Sequence, residues 1–181
     1  MTKWVNVDGL IVKFGSDEGD TVKGGYVQPY DDKHVLEFVI DYTDALSATY
    51  SILGSASGTT DGSIGPVVPK GARIIGLETL VETAFTSSGT IGSSTLGLGL
   101  KQLADLSTEI DHDGFLTASF VGSKLDAAGE RNFQEVGTTG SGALIGTTTS
   151  ANGVIALANT AHGSHPYTAG KLRVRLYFYF P

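Results

Sequence analysis

Residues 171–180 read KLRVRLYFYF, and this alternation constrains the chain more than any other stretch. Leu172, Val174, Leu176, Phe178 and Phe180 fall on one side of an extended backbone. Lys171, Arg173, Arg175, Tyr177 and Tyr179 fall on the other, because strand side chains alternate with period two. Wound as a helix, both sets scatter around the axis, so the run is a strand with one face packed and one open to solvent or a partner. Residues 67–85, VVPKGARIIGLETLVETAF, give its counterpart: a Pro-Lys-Gly turn, then a long half-buried strand. Strict alternation places Arg73, Ile75, Leu77, Thr79, Val81, Thr83 and Phe85 on one face. It places Ile74, Gly76, Glu78, Leu80, Glu82 and Ala84 on the other. If the two strands are neighbours, Arg173 and Arg175 meet Glu78 and Glu82 as cross-strand charge pairs, each worth about 0.2–1 kcal/mol.

The rest of the chain supplies shorter segments of the same kind. Residues 4–7 and 10–14 flank Asp8-Gly9, a dipeptide suited to a tight hairpin turn. Residues 1–32 read as a hairpin-bearing arm, with an edge hairpin of the main sheet as the competing reading, and residues 33–181 as the body. Residues 34–41 alternate as a strand, 42–48 form a loop or one helical turn, and 49–53 form a short strand. Residues 54–65 are a Ser/Thr/Gly/Asp loop. In 95–100, Leu96, Leu98 and Leu100 oppose Gly97 and Gly99, so another backbone or an aromatic ring must lie close against the glycine face. The spacing of Leu103, Leu106 and Ile110, and of Phe115, Leu116, Ser119 and Phe120, predicts short helical turns within 103–125. Residues 134–136 and 143–148 read as strands, and Asn152-Gly153 predicts a hairpin joining 145–149 to 154–158. Many short strands with little helix predict an all-β fold. The expected architecture is an antiparallel β-sandwich, jelly-roll-like, with an N-terminal hairpin arm and one or two short helical turns.

Composition narrows the function classes. The net charge of −7 works against binding a polyanion through lysines and arginines, whether nucleic acid or an anionic membrane surface. The absence of cysteine excludes a disulfide framework and thiolate metal sites. No apolar run approaches the roughly 20 residues of a membrane-spanning helix. The start, MTKWVNVD, lacks the apolar stretch of a signal peptide. The expectation is a soluble protein made in the cytoplasm, with no nucleic-acid or membrane partner.

No serine has glycines at both offsets of a nucleophile elbow, and neither phosphate-cradling glycine motif is present. Gly140-Ser141-Gly142 reads as a flexible turn. Glu78 and Glu82 lie roughly 13 Å apart along one strand, too far for a glycosidase pair at about 5–9.5 Å. Glu109, Asp111, His112 and Asp113 form the densest ligand-like cluster, but the oxygen pattern stops at Gly114, short of a calcium loop. His162 and His165 sit three apart beside Gly163 and Pro166, which disfavour the helical turn a zinc pair needs. No catalytic residue, metal ligand or cofactor site emerges. Tyr177 and Tyr179 offer a face for packing against another layer, a sugar or a protein neighbour.

Four segments carry a resemblance: HVLEFVIDYTDALSAT (34–49), VPKGARIIGLETLVETAF (68–85), STLGLGL (94–100) and TAGKLRVRLYFYF (168–180). In this order they resemble the head decoration, or capsid cement, proteins of tailed phages, especially those of marine and cyanobacterial phages. The resemblance implies a non-enzymatic β-sandwich on the capsid exterior of the virion that clamps neighbouring subunits of the major capsid protein, commonly as a homotrimer. Residues 1–32 fall outside it. The expected contact residues are Trp4, Val5 and Val7 of the arm, with Arg173, Arg175, Tyr177 and Tyr179 of the last strand. The competing readings are a fibre or tail component, a carbohydrate-binding module using Trp4, Tyr26, Tyr30 or Tyr167, and a hydrolase built on Asp111, His112 and His162.

Overall fold

The computed structural model describes residues 33–45, 49–53, 65–117, 120 and 122–181, together with the backbone of three N-terminal strands. These are β1 (Thr2–Val5), β2 (Ile11–Phe14) and β3 (Gly24–Val27). The chain continues through β4 (Lys33–Asp41), β5 (Ser51–Ile52), β6 (Val67–Val68), β7 (Arg73–Ser87) and β8 (Gly97–Gln102). It ends with β9 (Glu109–Leu116), β10 (Arg131–Gln134), β11 (Gly153–Ala158) and β12 (Tyr167–Tyr179). Among the described residues, the helical elements are short 3-10 turns at Tyr42–Ala45, Ile91–Ser93 and Gly122–Lys124.

The strands pair antiparallel into two sheets, one ordered β1-β2-β3-β4-β12-β7-β10 and the other β5-β11-β8-β9, with β6 beside β5 on the same edge of β11. From β4 onward the partners run first with last: β4 with β12, β5 and β6 with β11, β7 with β10, β8 with β9. This is one long antiparallel ribbon folded over on itself, closed by β12 against β7 and β11 against β8. The result is a jelly roll. Before it, β3 pairs with β4, β2 with β3 and β1 with β2, so the N-terminal strands continue the larger sheet past β4.

The core lies between the sheets. Leu36, Phe38 and Ile40 of β4, Leu77 and Val81 of β7, and Leu172, Val174, Leu176 and Phe178 of β12 meet Leu98 and Leu100 of β8, Phe115 of β9, and Ile155 and Leu157 of β11. Each such side chain contributes about 1.5–3 kcal/mol on burial. The alternation of 171–179 therefore reports a real inner and outer face. Phe180 departs from it: lying just past the strand end, it is 43% exposed, with its ring edge against His34.

Three expectations from the sequence need correction. On β7, Ile74 is buried and Ile75 exposed, because Ile75 is the extra residue of a bulge: Tyr177 pairs with Gly76 but Phe178 pairs with Ile74. One inserted residue reverses the alternation on its N-terminal side, so Arg73 and Ile75 join the outer face. Residues 109–116 form β9 rather than helical turns. Leu106 takes φ +59, and the Asp105 carboxylate accepts the N–H groups of Ser107 (3.0 Å) and Thr108 (2.8 Å), closing a β8–β9 hairpin. Residues 145–149 are not the hairpin partner of β11, whose neighbours are β5, β6 and β8. They follow tight turns through Gly146 (φ +87) and bond instead to Gly71, Ala72 and Ile74.

Tyr167, named in the competing carbohydrate-binding reading, is only 2% exposed and packs edge-on against Phe85 at 5.0 Å. Burial raises its pKa, and its hydroxyl has no hydrogen-bond partner. An orphaned buried donor is destabilising. Tyr167→Phe is therefore expected to raise stability by about 1 kcal/mol, read by urea unfolding; a loss of stability would show that the hydroxyl is satisfied in solution.

Candidate functional site

The outer face of the larger sheet is where β4, β12, β7 and β10 present their second set of side chains. Register places Arg175 directly between Glu37 on β4 and Glu78 on β7. Its Nε donates to Glu37 Oε2 at 2.7 Å, and its Nη1 lies 3.6 Å from Glu78 Oε2. One row along, Arg173 donates to Glu82 (Nε, 2.7 Å) and to Glu37 (Nη1, 2.5 Å). Lys171 flanks Glu82 at 3.6 Å, and Arg131 of β10 reaches Glu78 Oε1 at 2.7 Å. The charges thus alternate without a break: Lys171, Glu82, Arg173, Glu37, Arg175, Glu78, Arg131. The pairing of Arg173 and Arg175 with β7 glutamates follows the sequence reading, with Arg173 taking Glu82 and Arg175 taking Glu78. Glu37 was the missed member, although it sits on the polar side of the alternating 34–41 run.

Partial burial opposes ionisation of Glu37, but the hydrogen bonds from Arg175 and Arg173 outweigh it and hold its pKa below the ordinary 4.5. A depressed folded pKa gives stability that is full above the unfolded value and lost as pH falls through the folded one. Glu37→Gln is therefore expected to cost about 1 kcal/mol at neutral pH. The gap between variant and parent should close in acid, measured by urea unfolding at both pH values. A gap that stays constant with pH would contradict the assignment.

Beyond this lattice, the same face turns apolar. Gly76 has no side chain, and a Cβ there would meet Gln134 O at 2.7 Å. With the β7 row open at that point, Phe133 of β10 and Tyr177 of β12 approach across it, rings 6.2 Å apart and 15° from parallel. Gly76 helps line a cleft of about 380 Å³ together with both rings, Ile75, Lys33, Gln134 and Glu135. Phe133 is 59% exposed and nearby Val136 71%. Tyr177 donates its hydroxyl to Glu78 Oε2 at 2.8 Å, which joins the aromatic part to the lattice. Burial and that hydrogen bond raise its pKa, keeping the hydroxyl protonated.

β10 and the residue that follows it are pinned. Asn132 Nδ2 donates to Lys124 O at 3.0 Å, and Ser141 Oγ donates to Glu135 O at 2.8 Å. Exposed aromatic area held on pinned backbone is what protein-contact surfaces use, since little conformational entropy remains to be lost on docking. Arg173, Arg175, Tyr177 and Tyr179 all lie on this face. The two arginines are already neutralised by glutamates, so Tyr177 carries the apolar contact area. Trp4 and Val5 belong to β1, four strand spacings from β12, roughly 19 Å away. Val7 and Tyr30 lie outside the described residues. Phe133 falls outside the expected strand, which begins at residue 134 rather than 131, and Ile75 falls on the other face in strict alternation because the bulge reverses the phase there.

The other titratable cluster lies on the second sheet. Tyr50 packs over Gly97, where a Cβ would overlap its hydroxyl, and its ring sits 4.4 Å from that of His112. His112 Nδ1 lies 2.8 Å from Glu109 Oε2. Burial, then the carboxylates of Asp113, Asp111 and Glu109, push the Tyr50 pKa up to about 12. Among the described residues no group of three or more His, Cys, Asp or Glu is arranged to hold a metal ion. His165 Nδ1 accepts the Thr90 N–H at 3.0 Å, while His162 Nδ1 is buried without a partner. No described helix is long and apolar enough to cross a membrane. No family model, curated protein or solved structure matches the chain.

Proposed function

We propose that this chain is a non-enzymatic structural protein of a tailed-phage virion. It binds the outer surface of the head and stabilises it by bridging neighbouring major capsid subunits, acting as a homo-oligomer, with a trimer as the expected state. The observation that carries the reading is the Phe133–Tyr177 cleft beside the ion-paired lattice: exposed apolar area on a stiff sheet, next to charges already neutralised within the chain. Such a face loses few solvated charges on docking, which favours protein contact. The resemblance of residues 34–49, 68–85, 94–100 and 168–180 supplies the kind of partner. Three of those segments cover most of β4, β7 and β12, the strands that carry most of this face.

The test uses purified heads lacking the protein. Added chain is expected to co-sediment with them, and Phe133→Asp is expected to bind at least about tenfold more weakly, since it places a charge in the apolar contact. Binding that is absent in the parent, or equal in parent and variant, would contradict the reading.

A further inference from the structure

β10 is the outermost strand of the larger sheet, and its backbone is only half used. Val81 donates its N–H to Glu130 O at 2.9 Å, which sets the phase of the β7–β10 ladder. Stepping by two, Asn132 opposite Thr79 and Gln134 opposite Leu77 direct their N–H and C=O groups to β7. Arg131 and Phe133 therefore aim theirs away from the sheet, and neither has a backbone partner there among the described residues. Such an edge is a template for another strand. Side chains at the same two positions rise on the outer face: Phe133, exposed beside the cleft, and Arg131, whose side chain is 58% exposed.

From this we infer that the β10 edge receives an extended segment of another protein as an added strand. The added residues opposite Phe133 and Arg131 share their face, because directly opposed residues do. An apolar side chain suits the first, packing on the Phe133 ring at the mouth of the cleft. A carboxylate suits the second, since the Arg131 side chain stays 58% exposed while its Nη1 holds Glu78. In the antiparallel sense this reads apolar-x-acidic along the incoming strand. Backbone bonds supply affinity, and the two alternate side chains supply selectivity. The inference rests on the proposed virion role only for which protein supplies the segment.

A library of random linear octapeptides displayed on a carrier and panned on the immobilised full chain tests this without any virion. Enriched peptides are expected to share the apolar-x-acidic pattern. They should bind at least about tenfold more weakly to Phe133→Ser, and at least about tenfold more weakly to Arg131→Pro than to Arg131→Ala. Proline at this position takes an N–H from the outward edge and no direct bond from β7, whereas alanine leaves that N–H in place. No enrichment, or equal binding to Arg131→Pro and Arg131→Ala, overturns the inference. Should Arg131→Pro fail to fold, amide exchange on the parent decides. Protection of the Arg131 and Phe133 amides on adding an enriched peptide is expected, and unchanged exchange overturns the inference. A chain that captures such peptides yet is absent from virions would contradict the proposed role alone.

Discussion

Truncating Phe178 to alanine is expected to destabilise the fold by about 3–5 kcal/mol, a large part of the roughly 5–15 kcal/mol that holds a domain together. The side chain is 1% exposed, stacked on His34 at 5.3 Å and edge-on to Phe180 at 5.9 Å. It sits on β12 between β4 and β7, where backbone pairing on both sides prevents collapse into the void. It also precedes the Ile74–Gly76 bulge in the pairing and follows Tyr177, so loosening here shifts the wall of the cleft. Urea unfolding of Phe178→Ala should show the loss, and a change below about 1 kcal/mol would mean that this end of the core is not packed as described.

Gly99→Ala is expected to cost about 3 kcal/mol, the upper range for overpacking a closed site. A Cβ at Gly99 would lie 2.1 Å from Asp111 O and 2.5 Å from His112 O. These are backbone atoms of the adjoining strand, so relief requires β8 and β9 to part rather than a side chain to turn. Gly163→Ala provides the control, since nothing lies within 4 Å of its Cβ position; it should change stability by less than about 0.5 kcal/mol. Equal effects at the two sites would contradict the close approach of β9.

The close approach on the glycine face of β8 was legible in the sequence because repeated glycine on one side of a strand has few physical excuses. Tyr50 over Gly97 and the β9 backbone over Gly99 are the two kinds of neighbour it required. The inner and outer faces of β12 and β4 were legible for a related reason: period-two alternation is local, and neither strand's central stretch is interrupted. What could not be read depended on partners far along the chain. The bulge at Ile75 changes the phase of β7 without any mark in composition, since Ile74 and Ile75 are the same residue type. Asn152-Gly153 signals a turn but not which strand lies across it, and Val67–Val68 and Gln102, distant in sequence, took the place expected for 145–149. Leu103, Leu106 and Ile110 mimic helical spacing, but a positive φ at Leu106 breaks the period.

The site follows the same division. Its charged half was half-legible, because Arg173, Arg175, Glu78 and Glu82 lie on two strongly patterned strands. Its apolar half depends on Phe133, one residue of the four-residue strand RNFQ, and on Gly76 opening the row between Phe133 and Tyr177. Neither has a periodic signal long enough to read. The cleft is a product of register.

The most direct test of the proposed role is the copy number of this chain in purified virions, counted by quantitative mass spectrometry against the major capsid protein. The account predicts a fixed stoichiometric ratio to that protein, as a head-lattice component must have. A handful of copies per particle, or none, would contradict it.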